Sequence, residues 1–131
     1  MQQDYKMYIN GEWINSSSRK KIETLNPETN EVWATVPDAN DEDVDFAVQS
    51  AQKAFDTSWS KLHPRDRAKY LRLIANELRN NAEHLGKIET IDTGKLFRET
   101  KTQAQYIAEY YDYFAGLADK VEGTVVPIDK E

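Results

Sequence analysis

The hydrophobic period of this chain changes once, near residue 38, and does not change back. Up to Pro37 the apolar residues come in short strand-like runs, whereas from Asn40 onward they recur every three or four positions, the spacing that lines one face of an α-helix. Strands and helices that are segregated in this way do not build a doubly wound parallel sheet of their own. The order predicts an α+β segment: amino-terminal antiparallel hairpins over residues 1–37, then three long helices and a terminal strand over residues 38–131.

Turn chemistry sharpens the first part. Met7-Tyr8-Ile9 and Glu12-Trp13-Ile14 flank Asn10-Gly11, a dipeptide that accepts positive φ at both centres of a type I′ turn and so predicts a hairpin. Residues 22–25 and 32–36 form a second β-rich pair around Asn26-Pro27-Glu28-Thr29-Asn30, with Asn30 suited to a left-handed turn position. Asn40 or Asp41 can cap the first helix, whose acidic start suits the macrodipole, and Val44, Ala47, Val48, Ala51, Ala54 and Phe55 mark its apolar face. Pro64 opens a second helix with Ala68, Leu71, Ile74, Ala75 and Leu78 as its stripe. A break is expected near Asn80-Asn81, after which Leu85, Ile88 and Ile91 carry the pattern to Gly94, a natural carboxyl-terminal cap. A further helix over residues 98–118 places Ala104, Ile107, Ala108, Tyr111, Phe114, Ala115 and Ala118 on one side. Residues 121–128 read as extended, and Pro127 confines them to an edge.

Composition removes several function classes. With 23 acidic against 17 basic side chains, net charge −6, the chain lacks the cationic excess of a nucleic-acid binder. Its apolar runs are too short to span a membrane, and its first residues do not resemble a signal peptide. A cytoplasmic address is the expectation. Cysteine is absent, which removes disulfides, zinc–thiolate sites and any thiol nucleophile.

Short chemical-looking motifs fail on context. Asp92-Thr93-Gly94 matches an aspartic protease tripeptide but falls at a helix end. Gly94-Lys95 is followed by Leu96, not the Ser or Thr of a phosphate-binding loop. The acidic run from Asp38 has Asp43 where a calcium loop requires glycine. His63 and His84, the two histidines, sit in no metal-ligand spacing. Tyr106, Tyr110, Tyr111, Tyr113 and Phe114 are interleaved with Glu109 and Asp112. Acids there favour a core or subunit contact over a base-stacking platform.

Taken together, Tyr8-Ile9-Asn10-Gly11-Glu12-Trp13, Asn26-Pro27-Glu28-Thr29-Asn30-Glu31-Val32, Glu42-Asp43-Val44-Asp45, Pro64-Arg65-Asp66-Arg67, Glu89-Thr90-Ile91-Asp92-Thr93-Gly94-Lys95 and Ala115-Gly116-Leu117-Ala118-Asp119-Lys120 follow a familiar order. The chain resembles the amino-terminal part of the NAD(P)-dependent aldehyde dehydrogenase superfamily over nearly its whole length. One departure is Asn30, where that family usually has glycine; Asn is the next most tolerant residue at positive φ. The resemblance implies that these residues form part of an α/β cofactor-binding domain, roughly the first quarter of an enzyme that oxidises an aldehyde to a carboxylic acid with NAD or NADP. It also implies a homodimer or homotetramer, with a small-molecule aldehyde as substrate. The cysteine nucleophile, the glutamate base and the nucleotide-binding glycines of such enzymes lie beyond the matched motifs. No catalytic and no cofactor-binding residue is therefore assigned here, and the 131 residues alone are expected to be inactive. The resemblance further implies a monovalent cation, sodium or potassium, near Leu25 and its neighbour Thr24, with Asp92 supplying the charge. The competing expectation is a stand-alone, non-catalytic helical interaction module, and exposed apolar surface separates the two.

Overall fold

A computed structural model of the chain describes residues 3–127. Five short strands come first: β1 (Gln3–Asp4), β2 (Met7–Ile9), β3 (Glu12–Ile14), β4 (Lys21–Asn26) and β5 (Glu31–Pro37). Four helices follow, α1 (Asp41–Thr57), α2 (Pro64–Asn80), α3 (Ala82–Thr93) and α4 (Phe97–Leu117), with one 3-10 turn at Trp59–Lys61.

Both expected hairpins are present. β2 and β3 pair antiparallel with Tyr8 opposite Trp13, and Asn10 and Gly11 take φ of 54° and 83°, the double positive φ that a type I′ turn demands. β4 and β5 pair antiparallel around a turn in which Asn30 has φ of 58°. Sequence alternation did not anticipate β1, two residues that pair in parallel with β5 on its other edge. The resulting sheet runs β1-β5-β4, separate from the β2-β3 ribbon.

α1 begins with a reciprocal cap: the Asn40 side chain accepts from the Asp43 amide at 3.0 Å, and the Asp43 carboxylate accepts from the Asn40 amide at 3.1 Å. Pro64 stands in the first turn of α2. The expected break near Asn80-Asn81 divides the middle helix into α2 and α3, with Asn81 between them. Gly94 ends α3 in the left-handed conformation, φ 74°.

The core sits where α2 and α3 pack on α4. Its buried side chains are small: Ala68 and Ala75 from α2, Ala82 from α3, and Ala104, Ala108 and Ala115 from α4. Gly86 lets α3 and α4 approach until a Cβ there would lie 2.8 Å from the Lys101 backbone nitrogen, a distance only glycine accommodates. Thr100, wholly buried at the same crossing, brings its hydroxyl to 2.9 Å from the Gly86 carbonyl oxygen and 3.0 Å from the Thr90 hydroxyl.

Several expectations need correction. The apolar stripes are uncovered on their wider sides: Val44, Val48 and Phe55 of α1, Ile74 of α2, and Ile107 and Phe114 of α4 are all exposed. The buried helix positions are alanines where α2, α3 and α4 meet, whereas α1 packs mainly on the 3-10 turn that follows it. Gly116 meets nothing within 4 Å of its would-be Cβ, so it is not a close-approach residue. Residues 120–127 form no strand, since no partner edge lies beside them among the described residues; Ile128 falls outside those residues.

Candidate functional site

Of the contacts between sequence-distant polar groups, two junctions centre on a helix carboxylate with several donors from the strands and their loops. At the first, the α3 carboxyl terminus meets the β4–β5 hairpin. Asp92, in the last turn of α3, accepts the Thr24 hydroxyl at 2.6 Å and the Trp33 indole N–H at 3.3 Å, both on Oδ1. Gly94 sits against the Asn26-Pro27 turn, its would-be Cβ 3.0 Å from Pro27 Cγ. Thus the Asn-Pro motif and the Asp-Thr-Gly-Lys motif, more than sixty positions apart in the chain, form one contact. Lys95 turns back to Glu89 at 2.7 Å, closing the end of the helix.

Thr24, Leu25 and Asp92, the residues named for a cation, are therefore neighbours or neighbours of neighbours. Thr24 touches Asp92 directly. Leu25 adjoins Thr24, and the β4–β5 register slips between these two residues: Thr24 pairs with Ala34 but Leu25 with Val32. Trp33 is the extra residue of that bulge, and a bulge interrupts the regular exchange of ladder hydrogen bonds and re-aims a side chain. The donor set is one carboxylate, one hydroxyl and the main-chain carbonyls of an interrupted ladder, all hard oxygens of the kind that hold alkali and alkaline-earth cations. Trp33 was missed by sequence reasoning. Nothing in residue spacing announces a bulge in this strand, and the indole contact follows from it.

The second junction was missed as well. Asp43 is buried at the start of α1 and receives the Ser16 hydroxyl at 2.6 Å, the Ser17 amide at 3.0 Å and the Asn40 amide at 3.1 Å. The Ser16 hydroxyl first, then the Ser17 amide, hold its carboxyl down to about 2 against the opposing effect of burial. A Ser–Asp pair of this kind is not a nucleophile with its base: the strongly acidic Asp43 binds protons poorly, and no imidazole stands between them, because His63 precedes α2 and His84 lies on α3. The junction ties α1 to the loop after β3. Asn40 with Asp43 three positions on was the available signal, an amide-and-acid version of a capping box.

The surface also carries grooves. A groove of about 540 Å³ between β5 and α3 is lined by Asn26, Trp33, His84, Lys87 and Ile88, among others. A second, of about 400 Å³, lies along α4 among Tyr106, Glu109, Tyr110, Tyr113 and Phe114. Hydrogen bonding with the Tyr110 hydroxyl raises the Tyr106 phenol above its ordinary value. Among the described residues no three His, Cys, Asp or Glu side chains converge as a metal cluster, and no helix is long and apolar enough to cross a membrane. The five glycines, at 11, 86, 94, 116 and 123, include no Gly-x-Gly-x-x-Gly turn.

Known proteins resemble this chain in both sequence and fold. The chain is 44% identical over 129 residues to (Z)-2-((N-methylformamido)methylene)-5-hydroxybutyrolactone dehydrogenase of Acinetobacter baylyi, covering 98% of this chain and 26% of that protein. It superposes on a variant of aldehyde dehydrogenase from Bacillus cereus with a TM-score of 0.90 at 34% identity, over 98% of this chain and 26% of that one. A point variant of betaine aldehyde dehydrogenase from Staphylococcus aureus, in complex with NAD+, matches with a TM-score of 0.86 at 36% identity, over 94% of this chain and 25% of that one. The chain thus spans about a quarter of the length of these relatives. The model of the aldehyde dehydrogenase family matches residues 13–131, and the chain belongs to that family.

Proposed function

We propose that these residues serve an enzyme that oxidises an aldehyde to a carboxylic acid, with NAD or NADP accepting the hydride. The observation that carries this reading is the junction itself: two motifs of the family resemblance, Asn26-Pro27 and Asp92-Thr93-Gly94-Lys95, meet through Thr24–Asp92 and Pro27–Gly94. The role of the 131 residues is scaffolding. They hold no cysteine, so the thiolate that attacks the aldehyde carbon must come from elsewhere in the polypeptide. The same reading makes the protein cytoplasmic and homo-oligomeric.

A sodium or potassium ion belongs to this reading, bound by Leu25 through its carbonyl and by Asp92 through its carboxylate, with Thr24 alongside. Support comes from the oxygen-rich junction and from the register slip between Thr24 and Leu25.

The test is aldehyde-dependent reduction of NAD or NADP by the polypeptide as its host makes it, across aliphatic, aromatic and cationic aldehydes. Reduction that is abolished by thiol alkylation is expected, and the 131 residues alone give none. No reduction with any aldehyde, or reduction indifferent to alkylation, overturns the proposal.

A further inference from the structure

We infer that Trp33 is a positioning residue for the cation proposed at Leu25 and Asp92, acting through the Asp92 carboxylate; the inference rests on that cation reading. The register slip makes Trp33 the extra residue of β5, between Ala34 opposite Thr24 and Val32 opposite Leu25. Its ring is steadied by the edge of Tyr5, with centroids 6.1 Å apart and planes at 75°, a favoured aromatic arrangement. From there the indole N–H reaches Asp92 Oδ1 at 3.3 Å, the oxygen that also takes the Thr24 hydroxyl at 2.6 Å.

The chemistry of the two donors gives them different parts. A threonine hydroxyl that donates to Asp92 keeps lone pairs with which to ligate an ion, whereas an indole N–H donates and cannot accept. Trp33 therefore binds no cation itself. By loading Oδ1 together with Thr24, it fixes the plane of the carboxylate and turns the other oxygen, Oδ2, toward an ion. The bulge that aims the indole is the same irregularity that interrupts the ladder beside Leu25, so one local feature of the hairpin sets both the charged ligand and the main-chain ligand.

The experiment compares thermal unfolding of the host-made polypeptide in potassium, sodium and choline chloride at equal ionic strength. In the wild type, one alkali ion raises Tm above the choline value, and Asp92→Asn removes that increment. Trp33→Phe keeps an increment but raises the ion concentration giving half of it by roughly 2- to 10-fold, the equivalent of one hydrogen bond. Trp33→Tyr, which keeps a large ring against Tyr5, serves if the Phe variant does not fold. If neither folds, the wild-type indole N–H resonance of Trp33 decides: a shift on alkali titration supports the inference, and invariance overturns it. A Tm loss equal in all three salts, with an unchanged half-point, makes Trp33 a packing residue and overturns the inference alone. A wild type indifferent to the choice of salt overturns the cation reading and this inference with it.

Discussion

Asp43 shows how much one side chain contributes when its partners are main-chain amides and a buried hydroxyl. Its carboxyl lies near 2 in the folded chain against an ordinary 3.8. A depressed carboxylate stabilises the fold above its unfolded value and loses that contribution as pH falls through the folded one. Between about pH 4 and pH 2, thermal stability of the wild type is expected to fall faster than that of Asp43→Asn; parallel curves in a pH-dependent melt exclude Asp43 as the titrating group. Gly86 makes the opposite kind of demand, for absence of atoms. With the Lys101 backbone 2.8 Å from a would-be Cβ, Gly86→Ala has to push α3 from α4 and is expected to cost about 1–3 kcal/mol, read as a lower urea midpoint. The two residues also differ in legibility. The Asn40–Asp43 spacing stood in the sequence as a cap, whereas Gly86 inside a helical stretch carries no local mark of the helix that crosses it.

At the scale of elements, local rules placed most boundaries. The Asn10-Gly11 and Asn30 turns, the Asn40 cap, Pro64 opening α2 and Gly94 closing α3 are all found where turn and cap chemistry put them. Asn40→Ala removes the acceptor for the Asp43 amide and the donor to Ser17. The expected cost is about 1 kcal/mol, measured by urea denaturation, and a change within error means α1 is held by Asp43 alone. What periodicity did not resolve is which part of an apolar stripe makes contact. On α4 it marked Ala104, Ile107, Ala108 and Phe114 alike, yet the alanines are buried and Ile107 and Phe114 are exposed. Helix packing decided that division: the side of α4 that meets α2 and α3 buries its alanines, and Ile107 and Phe114 lie off it. The bulge at Trp33 was equally hidden, since alternation describes a regular strand and the slip depends on how two strands pair.

At the scale of the molecule, the buried apolar set among the described residues is seven alanines, little for a chain with 39% hydrophobic residues. Large side chains lie outward instead: Val44, Val48 and Phe55 on α1, and Tyr106, Tyr110, Tyr113, Phe114 and Leu117 on α4. Faces of this kind seek cover, and relatives about four times as long have further chain with which to supply it. The 131 residues alone are accordingly expected to bind a hydrophobic dye strongly and to self-associate in sedimentation. A monomer that unfolds cooperatively without dye binding favours the stand-alone module over the enzyme scaffold.

Sequence alone determined what short-range chemistry controls: strands before helices, two hairpins with their turns, the helix ends, the absence of a thiol and, through the order of its motifs, the family. Each of these depends on residues a few positions apart, or on composition, and needs no partner across the fold. Tertiary structure decided what depends on distance in space. It joined Thr24 and Trp33 to Asp92 and Ser16 to Asp43, and it reserved the helix crossings for glycine, alanine and threonine. The physical reason is common to these cases: a hydrogen bond or a van der Waals contact acts over a few ångströms, and only folding brings residues tens of positions apart within that range.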